Sequence, residues 1–167
     1  MSNLERHEDH EDCKNSENRN ALVRRDEHQL MPTPWLGMRL PSPLPPETET
    51  VMTETIGCAI AVHRALGPGF VERIYRRAMY IELEARNLAY EAERPVTVTY
   101  RDIEIPGQRV DLIAEGMVVV ELKSVMHLDR IHEAQLTSYL KTTGLRAGLL
   151  MNFRAPTIRQ GLRRIVL

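Results

Sequence analysis

The pattern of apolar and polar positions divides the chain after residue 46 into helical and extended segments. Apolar side chains recur at helical spacing in three segments, and β-branched runs bounded by turn residues indicate strands. The pattern predicts helices at 47–66, 70–86 and 128–143. It predicts strands at 96–100, 109–114, 117–124 and 147–152, whereas the pattern of 158–167 is ambiguous and fits a short helix followed by a strand.

Helix ends and connections set the fold class. The sequence Gly-Pro-Gly at 67–69 ends the first helix, Asn87 is a plausible left-handed cap for the second, and Gly144 closes the third. The segment 101–107 is predicted to be a turn region. Because a helix connects strands of one sheet, a crossover connection is required. We therefore expect an α/β or α+β domain with a mixed central sheet.

The two ends of the chain differ in composition. Residues 1–49 contain few apolar side chains, 10 acidic and 6 basic residues, and a proline-dense stretch at 31–46. Such a segment buries too little apolar surface to offset the entropy of ordering it. We expect a disordered, acidic and proline-rich tail at 1–49 and a folded domain at 50–167. The domain holds 16 basic and 13 acidic residues, an excess that is compatible with a polyanionic partner without establishing one.

Several classes of function find no support in the sequence. No apolar run approaches the length of a membrane span, and the N-terminus has no apolar secretory segment. The two cysteines, Cys13 and Cys58, provide no disulfide framework, which suits a reducing compartment. His63 and His132 have no obvious nucleophile partner, so structural roles are favoured. We expect a cytoplasmic protein without membrane contact. No phosphate-binding glycine loop or cofactor motif is present.

Three charged residues lie in the hairpin that these strands predict. Glu121 and Lys123 share one face of the second strand, because alternate strand residues point the same way. A two-residue turn would place Asp111 on the opposite face from Glu121. A three-residue loop of residues 114–116 would pair Asp111 with Val119 and make Asp111 a same-face, diagonal neighbour of Glu121.

We predict the three-residue loop. The two carboxylates would then lie roughly 7–8 Å apart at the backbone. At that spacing Asp111 and Glu121 can converge on a hard cation such as Mg²⁺. The alternative is that Asp111, Glu121 and Lys123 form an ordinary solvated strand face with cross-strand charge pairs.

Two further polar pairs lie on helices. Glu72 and Tyr75 follow Gly69 in a Gly-x-x-Glu-x-x-Tyr pattern, and Gln135 and Tyr139 project from one face of the third helix. Each pair also has a structural interpretation. Glu72 suits the first turn of a helix through the helix dipole, and both tyrosines suit a core or half-buried position. If the third helix packs beside the hairpin, Gln135 and Tyr139 would border its charged face.

Taken in order, these motifs resemble the GxxExxY proteins, a family grouped with the PD-(D/E)xK nuclease superfamily. The resemblance runs from about residue 51 to residue 167. The segments that carry it follow the family order: Val62-His63, Leu66-Gly67-Pro68-Gly69, Glu72, Tyr75, Asp111-Leu112, Val120-Glu121-Leu122-Lys123, His132-Glu133-Ala134-Gln135 and Tyr139. Val110 stands where the superfamily name has proline, and Ser124 where the family often has alanine.

The resemblance implies a fold, an activity and a set of site residues. The implied fold is a restriction-endonuclease-like αβββαβ core with a mixed central sheet, preceded by an extra N-terminal helix. The implied activity is metal-dependent hydrolysis of phosphodiester bonds. Asp111 and Glu121, with the Leu122 carbonyl, would bind Mg²⁺ or Mn²⁺. The other side chains that it implies for catalysis are Lys123, Glu72, Gln135 and Tyr139.

The expected partner is nucleic acid, with DNA favoured over RNA. Arg76 and Arg130 are assigned to substrate binding, because basic side chains contact the phosphate backbone. Tyr75 is assigned to substrate binding with them. The alternative is a non-catalytic module that keeps the fold to bind nucleic acid or protein. Carboxylates that face phosphates without a metal argue against that alternative.

Overall fold

Five strands and four helices follow one another along residues 42–167, the part of the chain that the computed structural model describes. The helices are α1 (Pro46–Leu66), α2 (Glu72–Ala85), α3 (Arg130–Thr143) and α4 (Ile158–Gly161). The strands are β1 (Tyr90–Tyr100), β2 (Ile103–Ala114), β3 (Val118–Lys123), β4 (Ala147–Asn152) and β5 (Leu162–Val166). Predictions that fall on residues 1–41, including most of the tail, lie outside the described residues.

One mixed sheet connects all five strands. Its order is β1-β2-β3-β4-β5, and only β3 and β4 run parallel. Helix α3 makes the crossover between these two strands, as a parallel connection requires. The helix order and the mixed sheet confirm the predicted fold class.

Helices cover both faces of the sheet because its central strands are apolar on both sides. Leu112 and Val120 pack in one core with residues of α1 and α2. Val119 and Leu150 pack in a second core with Leu136 of α3. All six residues of β4 are buried, which explains the uninterrupted apolar pattern of this strand. The two cores fix the positions of α2 and α3 relative to the end of β3.

The folded part begins earlier than the sequence predicts. Helix α1 starts at Pro46, and Leu44 before it is only 6% exposed. Proline is well tolerated in the first turn of a helix, where its missing N–H has no partner to lose. Residues 42–45, the described end of the proline-dense stretch, therefore lead into α1, and the predicted boundary at residue 50 falls inside this helix. The helix ends are confirmed, with positive φ at Gly67, Asn87 and Gly144.

The loop between β2 and β3 has three residues, as predicted, but it lies one residue further along the chain. Ala114 pairs with Val118, and the N–H of Met117 donates to the Ala114 carbonyl at 2.9 Å. Glu115 and Gly116 have φ values of 49° and 63°, as a tight hairpin turn requires. The glycine supplies the turn without strain.

This register brings the two acids of the hairpin together. Leu112 pairs with Val120, so the next residues in register are Asp111 and Glu121. The predicted pairing of Asp111 with Val119 is wrong by two residues. The predicted shared face of Asp111 and Glu121 is retained, because a three-residue loop in either position puts both residues on the same side of the sheet.

The first hairpin is longer than predicted, because β1 begins at Tyr90 and not at residue 96, and β2 begins at Ile103 and not at residue 109. The turn between them is at Arg101 and Asp102, which have positive φ. Pro106 and Gly107 lie within β2, although the sequence assigns them to a turn region. They are tolerated because the pairs of β2 with β3 involve only residues 112–114, so β2 is an edge strand at this point.

The predicted elements of the C-terminal part are confirmed. Strand β4 has the predicted bounds, and the last segment forms α4 followed by β5. Within residues 42–167, no helix is long and apolar enough to cross a membrane.

Candidate active site

The end of β3, the start of α2 and the middle of α3 enclose the candidate site. Two polar contacts hold the chain after β3. The Ser124 hydroxyl donates to the Phe70 carbonyl at 2.7 Å and links β3 to the turn before α2. Asn152 is buried, and its side-chain amide accepts from the Val125 N–H and donates to the Val125 carbonyl. The segment that follows Lys123 is therefore fixed on two sides.

Glu121 is the most deeply buried acid of the site, at 3% exposure. Its Oε1 atom accepts a hydrogen bond of 2.5 Å from the Lys123 ammonium. Its Oε2 atom is also buried and has no hydrogen-bond partner among residues 42–167. Burial and then the negative charge of Asp111 raise the pKa of Glu121 to about 7. Burial opposes the charged form of Lys123, but the contact with Glu121 outweighs it and raises the pKa of Lys123.

Asp111 is held by groups from two elements. Its Oδ2 atom accepts a hydrogen bond from the Leu122 N–H at 2.8 Å, and its Oδ1 atom lies 3.2 Å from Nε of Arg76. The Tyr80 hydroxyl donates to the Asp111 carbonyl at 3.1 Å. Burial raises the pKa of Asp111, and the Leu122 N–H and Arg76 partly counteract this rise. The position of the carboxylate is therefore set before any ligand binds.

Arg76 lies among three acids. Its Nη2 atom donates to Glu72 at 3.1 Å, its Nη1 atom donates to Glu93 at 2.9 Å, and its Nε atom faces Asp111. Burial opposes its charge, yet Asp111 and Glu72 together raise the pKa of Arg76. The sequence assigns Arg76 to substrate phosphates, but the structure commits its guanidinium to carboxylates.

Tyr75 is a core residue, which corrects its assignment to substrate binding. Its side chain is fully buried and stacks on Phe153 with ring centroids 4.6 Å apart. Its hydroxyl accepts from the Phe70 N–H at 3.0 Å and donates to the Gly67 carbonyl at 2.7 Å. Tyr75 therefore closes the Gly-Pro-Gly turn from inside.

Helix α3 presents its predicted polar pair to the site. Nε2 of Gln135 donates to the Tyr139 hydroxyl at 2.8 Å. Burial raises the pKa of Tyr139, and the negative charge of Glu121 adds to this rise. Tyr139 packs in the same core as Val119 of β3, which shares its strand face with Glu121, so α3 covers the face that carries the acid. The participation of the pair in the site stays a prediction. Arg130 begins the same helix and is exposed.

Both histidines with a candidate catalytic role have structural contacts. Nε2 of His63 lies 2.9 Å from the Ala155 carbonyl, which requires that this nitrogen carry the proton. Nδ1 of His132 accepts from the Asp129 N–H at 3.0 Å and caps α3. The structural interpretation of both residues is confirmed.

The donor set fits a divalent cation with two protein carboxylates. Within residues 42–167, no group of three or more His, Cys, Asp or Glu side chains is arranged to hold a metal ion. Glu72 therefore does not complete a three-acid site with Asp111 and Glu121. A buried carboxylate oxygen without a donor is costly, and Oε2 of Glu121 is such an atom. A cation at this oxygen would satisfy it.

Four residues of the site are not predicted by the sequence. Asn152 carries a signal, since a polar side chain at the end of a wholly buried strand usually makes specific hydrogen bonds. Ser124 is noted only as a departure from a family pattern. Tyr80 and Glu93 carry no local signal, because their contacts with Asp111 and Arg76 depend on the packing of α2 against the sheet.

Comparison with known proteins identifies one family. The model of the PD-(D/E)XK nuclease superfamily matches residues 49–165, which is well over half of the chain. The matched range contains all the acidic and basic residues of the candidate site. No curated protein and no solved structure matches the chain.

Proposed function

The chain belongs to the PD-(D/E)XK nuclease superfamily, and from this premise we propose that it is a metal-dependent nuclease that hydrolyses phosphodiester bonds in nucleic acid. Within the superfamily, the order of its motifs favours the GxxExxY group. We propose a cytoplasmic location, because the cytoplasm keeps free thiols such as the buried Cys58 reduced. The observation that carries the proposal is the unpartnered, buried Oε2 of Glu121 beside Asp111 and Lys123.

Asp111 and Glu121 are the proposed ligands of Mg²⁺ or Mn²⁺, with the Leu122 carbonyl as a third donor. When bound, the cation lowers the pKa of a coordinated water and offsets negative charge on the phosphate. Asp111 needs little rearrangement for this role, because the Leu122 N–H already orients its carboxylate. Glu121 offers the oxygen that Lys123 does not occupy.

Lys123 has two proposed roles. Its contact with Oε1 favours the ionised form of Glu121, which is the form that binds a cation. The ammonium is also a compact charge with three donors, which suits one phosphate oxygen or an attacking water. Its raised pKa keeps it charged at neutral pH. Lys123 therefore orients the water and contacts the phosphate.

Gln135 and Tyr139 are proposed to position the substrate. The Gln135 amide donates to the Tyr139 oxygen, so the phenolic proton remains available for another acceptor. The raised pKa of Tyr139 keeps this proton in place at neutral pH. A phosphate oxygen beside Lys123 is the acceptor that we assign. Glu72 is proposed to act through Arg76, which it holds beside Asp111.

A second candidate function is a binding module without catalysis. Arg76 supports it, because this residue places a positive charge against Asp111 and reduces the need for a metal. In this case the domain would bind nucleic acid or protein with a salt-dependent affinity and would not cut.

Cleavage of labelled single- and double-stranded DNA and RNA tests the proposal. We expect cutting, with DNA preferred, only when Mg²⁺ or Mn²⁺ is added, and none in EDTA. Asp111→Asn and Lys123→Ala should abolish it, whereas Glu104→Gln, which changes an exposed acid of β2, should not. Cutting by Asp111→Asn at the normal rate would refute the assigned site. The binding module would be established if the protein binds nucleic acid in a salt-sensitive way, cuts none of the substrates and shows no Mg²⁺ binding by calorimetry.

A further inference from the structure

A cleft of about 630 Å³ opens beside the candidate active site. Its walls come from the turn after α1, the segment after β3, the segment after β4 and the junction of α4 with β5. Asn152 belongs both to the site described above and to the lining of this cleft, but no function has yet been assigned to the cleft itself. Side chains that characterise its lining are Pro68, Met126, His127, Arg154, Pro156 and Arg163.

The cleft continues into the active site. A smaller hollow of about 290 Å³ shares Gly69 and Arg154 with the cleft. The same hollow is lined by Glu72 and Ser124, and Ser124 directly follows Lys123 in the chain. A ligand that extends from the proposed catalytic lysine through this hollow would therefore pass Arg154 and enter the cleft.

The charge of the lining favours phosphate. Arg154 and Arg163 are exposed basic residues, and among residues 42–167 no carboxylate side chain lines the cleft. Nη1 of Arg163 donates to the Leu162 carbonyl at 2.9 Å, which holds this side chain at the rim. The acid that approaches it is Glu133, whose Oε1 atom lies 3.8 Å from Nε of Arg163. Glu133 therefore offsets part of the charge of Arg163, and the exposed guanidinium of Arg154 provides a second positive charge for an anion.

The rest of the lining favours a base. Pro68, Met126, Leu128 and Pro156 present apolar surfaces inside the cleft. Proteins that bind single strands combine basic groups along the backbone with flat groups on which the bases stack. In this cleft the imidazole of His127 and the guanidinium of Arg154 are flat groups of the lining. Arginine also stacks on bases through its planar guanidinium group.

We propose that this cleft binds unpaired nucleotides that flank the scissile phosphate, so that the preferred substrate is single-stranded or carries a single-stranded end. Its volume lies in the range of about 300–1,000 Å³ that is typical of small-molecule sites. Such a space encloses separated nucleotides and not a double helix. The placement beside the scissile phosphate rests on the proposed nuclease function, whereas binding of unpaired nucleotides does not.

Fluorescence anisotropy with a labelled single-stranded oligonucleotide tests the proposal in EDTA, where no metal-dependent cutting occurs. Arg154→Gln should weaken binding about 5- to 10-fold and reduce the slope of log affinity against log salt by about one. Arg163→Gln should do the same. Arg159→Gln is the matched control, because Arg159 is an exposed arginine of α4 that lines a different hollow with Ile56 and Ile60. It should change affinity less than twofold.

Competition with unlabelled nucleic acid separates the outcomes. A blunt duplex should compete poorly, and a duplex with a single-stranded end should compete well. The proposal is overturned if the blunt duplex competes as well as the single strand, or if Arg154→Gln and Arg163→Gln bind like Arg159→Gln. If binding depends on the two arginines but no metal supports cutting, the proposal that the cleft binds unpaired nucleotides is supported and the proposed nuclease function is refuted. If cutting occurs without this dependence, the nuclease function stands alone.

Discussion

Arg76 places its Nε atom 3.2 Å from Oδ1 of Asp111, the carboxylate that is proposed to bind metal. The same guanidinium binds Glu72 and Glu93 through its other two nitrogens. Nε itself is buried and makes no well-aligned hydrogen bond within the described part of the chain. Arg76 therefore compensates the charge of the acids in the metal-free protein, while its contact with Asp111 is not geometrically optimal.

Replacement of Arg76 should make the stability of the protein more dependent on metal. We expect Arg76→Gln to lower the free energy of unfolding in EDTA by about 1–3 kcal/mol, because charged acceptors lose their donor. Mg²⁺ should raise the midpoint of thermal unfolding more in Arg76→Gln than in the wild type, since the cation replaces the lost charge. The control is Arg77→Gln, at the next and exposed position. Equal stability of both variants in EDTA would contradict this role of Arg76.

Metal-free stability should fall as the pH rises through neutrality. Burial and Asp111 raise the pKa of Glu121 from 4.5 to about 7, so the folded protein binds this proton more tightly than the unfolded chain. The stabilisation is fully present below the unfolded pKa and is lost as the pH rises through 7. Its slope is at most about 1.4 kcal/mol per pH unit. Urea unfolding in EDTA from pH 5 to 8 measures the free energy of unfolding of the wild type and of Glu121→Gln. If this free energy changes with pH in the same way in both proteins, the raised pKa of Glu121 is contradicted.

Metal should reverse this dependence. The proposed ligand is the ionised form of Glu121, so protons and Mg²⁺ compete for the same carboxylate. The increase in the unfolding midpoint caused by Mg²⁺ should therefore be larger at pH 8 than at pH 6. In Glu121→Gln the increase should be small at both values. A midpoint shift in the wild type that does not change with pH would exclude Glu121 as the ligand that titrates.

Local patterns were sufficient to predict the elements of this fold. Strand β4 was predicted to the residue, because all six of its side chains are buried and Gly144 ends the preceding helix. The odd-length loop of the second hairpin was also predictable, because the charge pattern needs Asp111 and Glu121 on one face. The tip of the first hairpin was not predictable. A proline at position 106 is accepted within β2 only because β3 does not pair with this part of β2.

The site was predictable only where its residues carry local signals. The acids and Lys123 stand out because charges interrupt an apolar hairpin, and Gln135 and Tyr139 share a helix face. The contacts of Arg76 could not be predicted from local signals, because Glu93 and Asp111 lie 17 and 35 positions further along the chain. Tyr75 has the spacing of a motif residue, but its hydroxyl serves the backbone of the turn.

Tyr75→Phe should separate structure from substrate binding. Loss of the hydroxyl leaves the Phe70 N–H and the Gly67 carbonyl without this partner, at a cost of about 1–3 kcal/mol in the free energy of unfolding. Oligonucleotide affinity of the folded protein should not change. Tyr100→Phe is the control, because Tyr100 is 60% exposed, and its stability should match the wild type. If Tyr75→Phe lowers the affinity for the oligonucleotide but not the free energy of unfolding, Tyr75 is a substrate-binding residue.

Two glycines should respond in opposite directions to alanine. A Cβ atom at Gly161 would lie 2.3 Å from the Asn152 carbonyl oxygen and 2.9 Å from Cβ of Ala155. The backbone must therefore shift, and we expect Gly161→Ala to lower the free energy of unfolding by about 1–3 kcal/mol. At Gly57, inside α1, a Cβ atom would meet only the mobile end of Arg86, at 2.7 Å. Gly57→Ala should stabilise the helix by up to about 1 kcal/mol.

The position of Gly161 extends this prediction from stability to binding. The same Asn152 holds Val125 in the segment after β3, and Gln160, next to Gly161, lines the cleft. A shift at Gly161 should therefore also weaken the anisotropy-measured affinity for the single-stranded oligonucleotide, whereas Gly57→Ala should leave it unchanged. Urea unfolding and anisotropy on the same samples test both effects. Normal stability and affinity of Gly161→Ala would show that the contact between α4 and β4 is looser than the structure indicates.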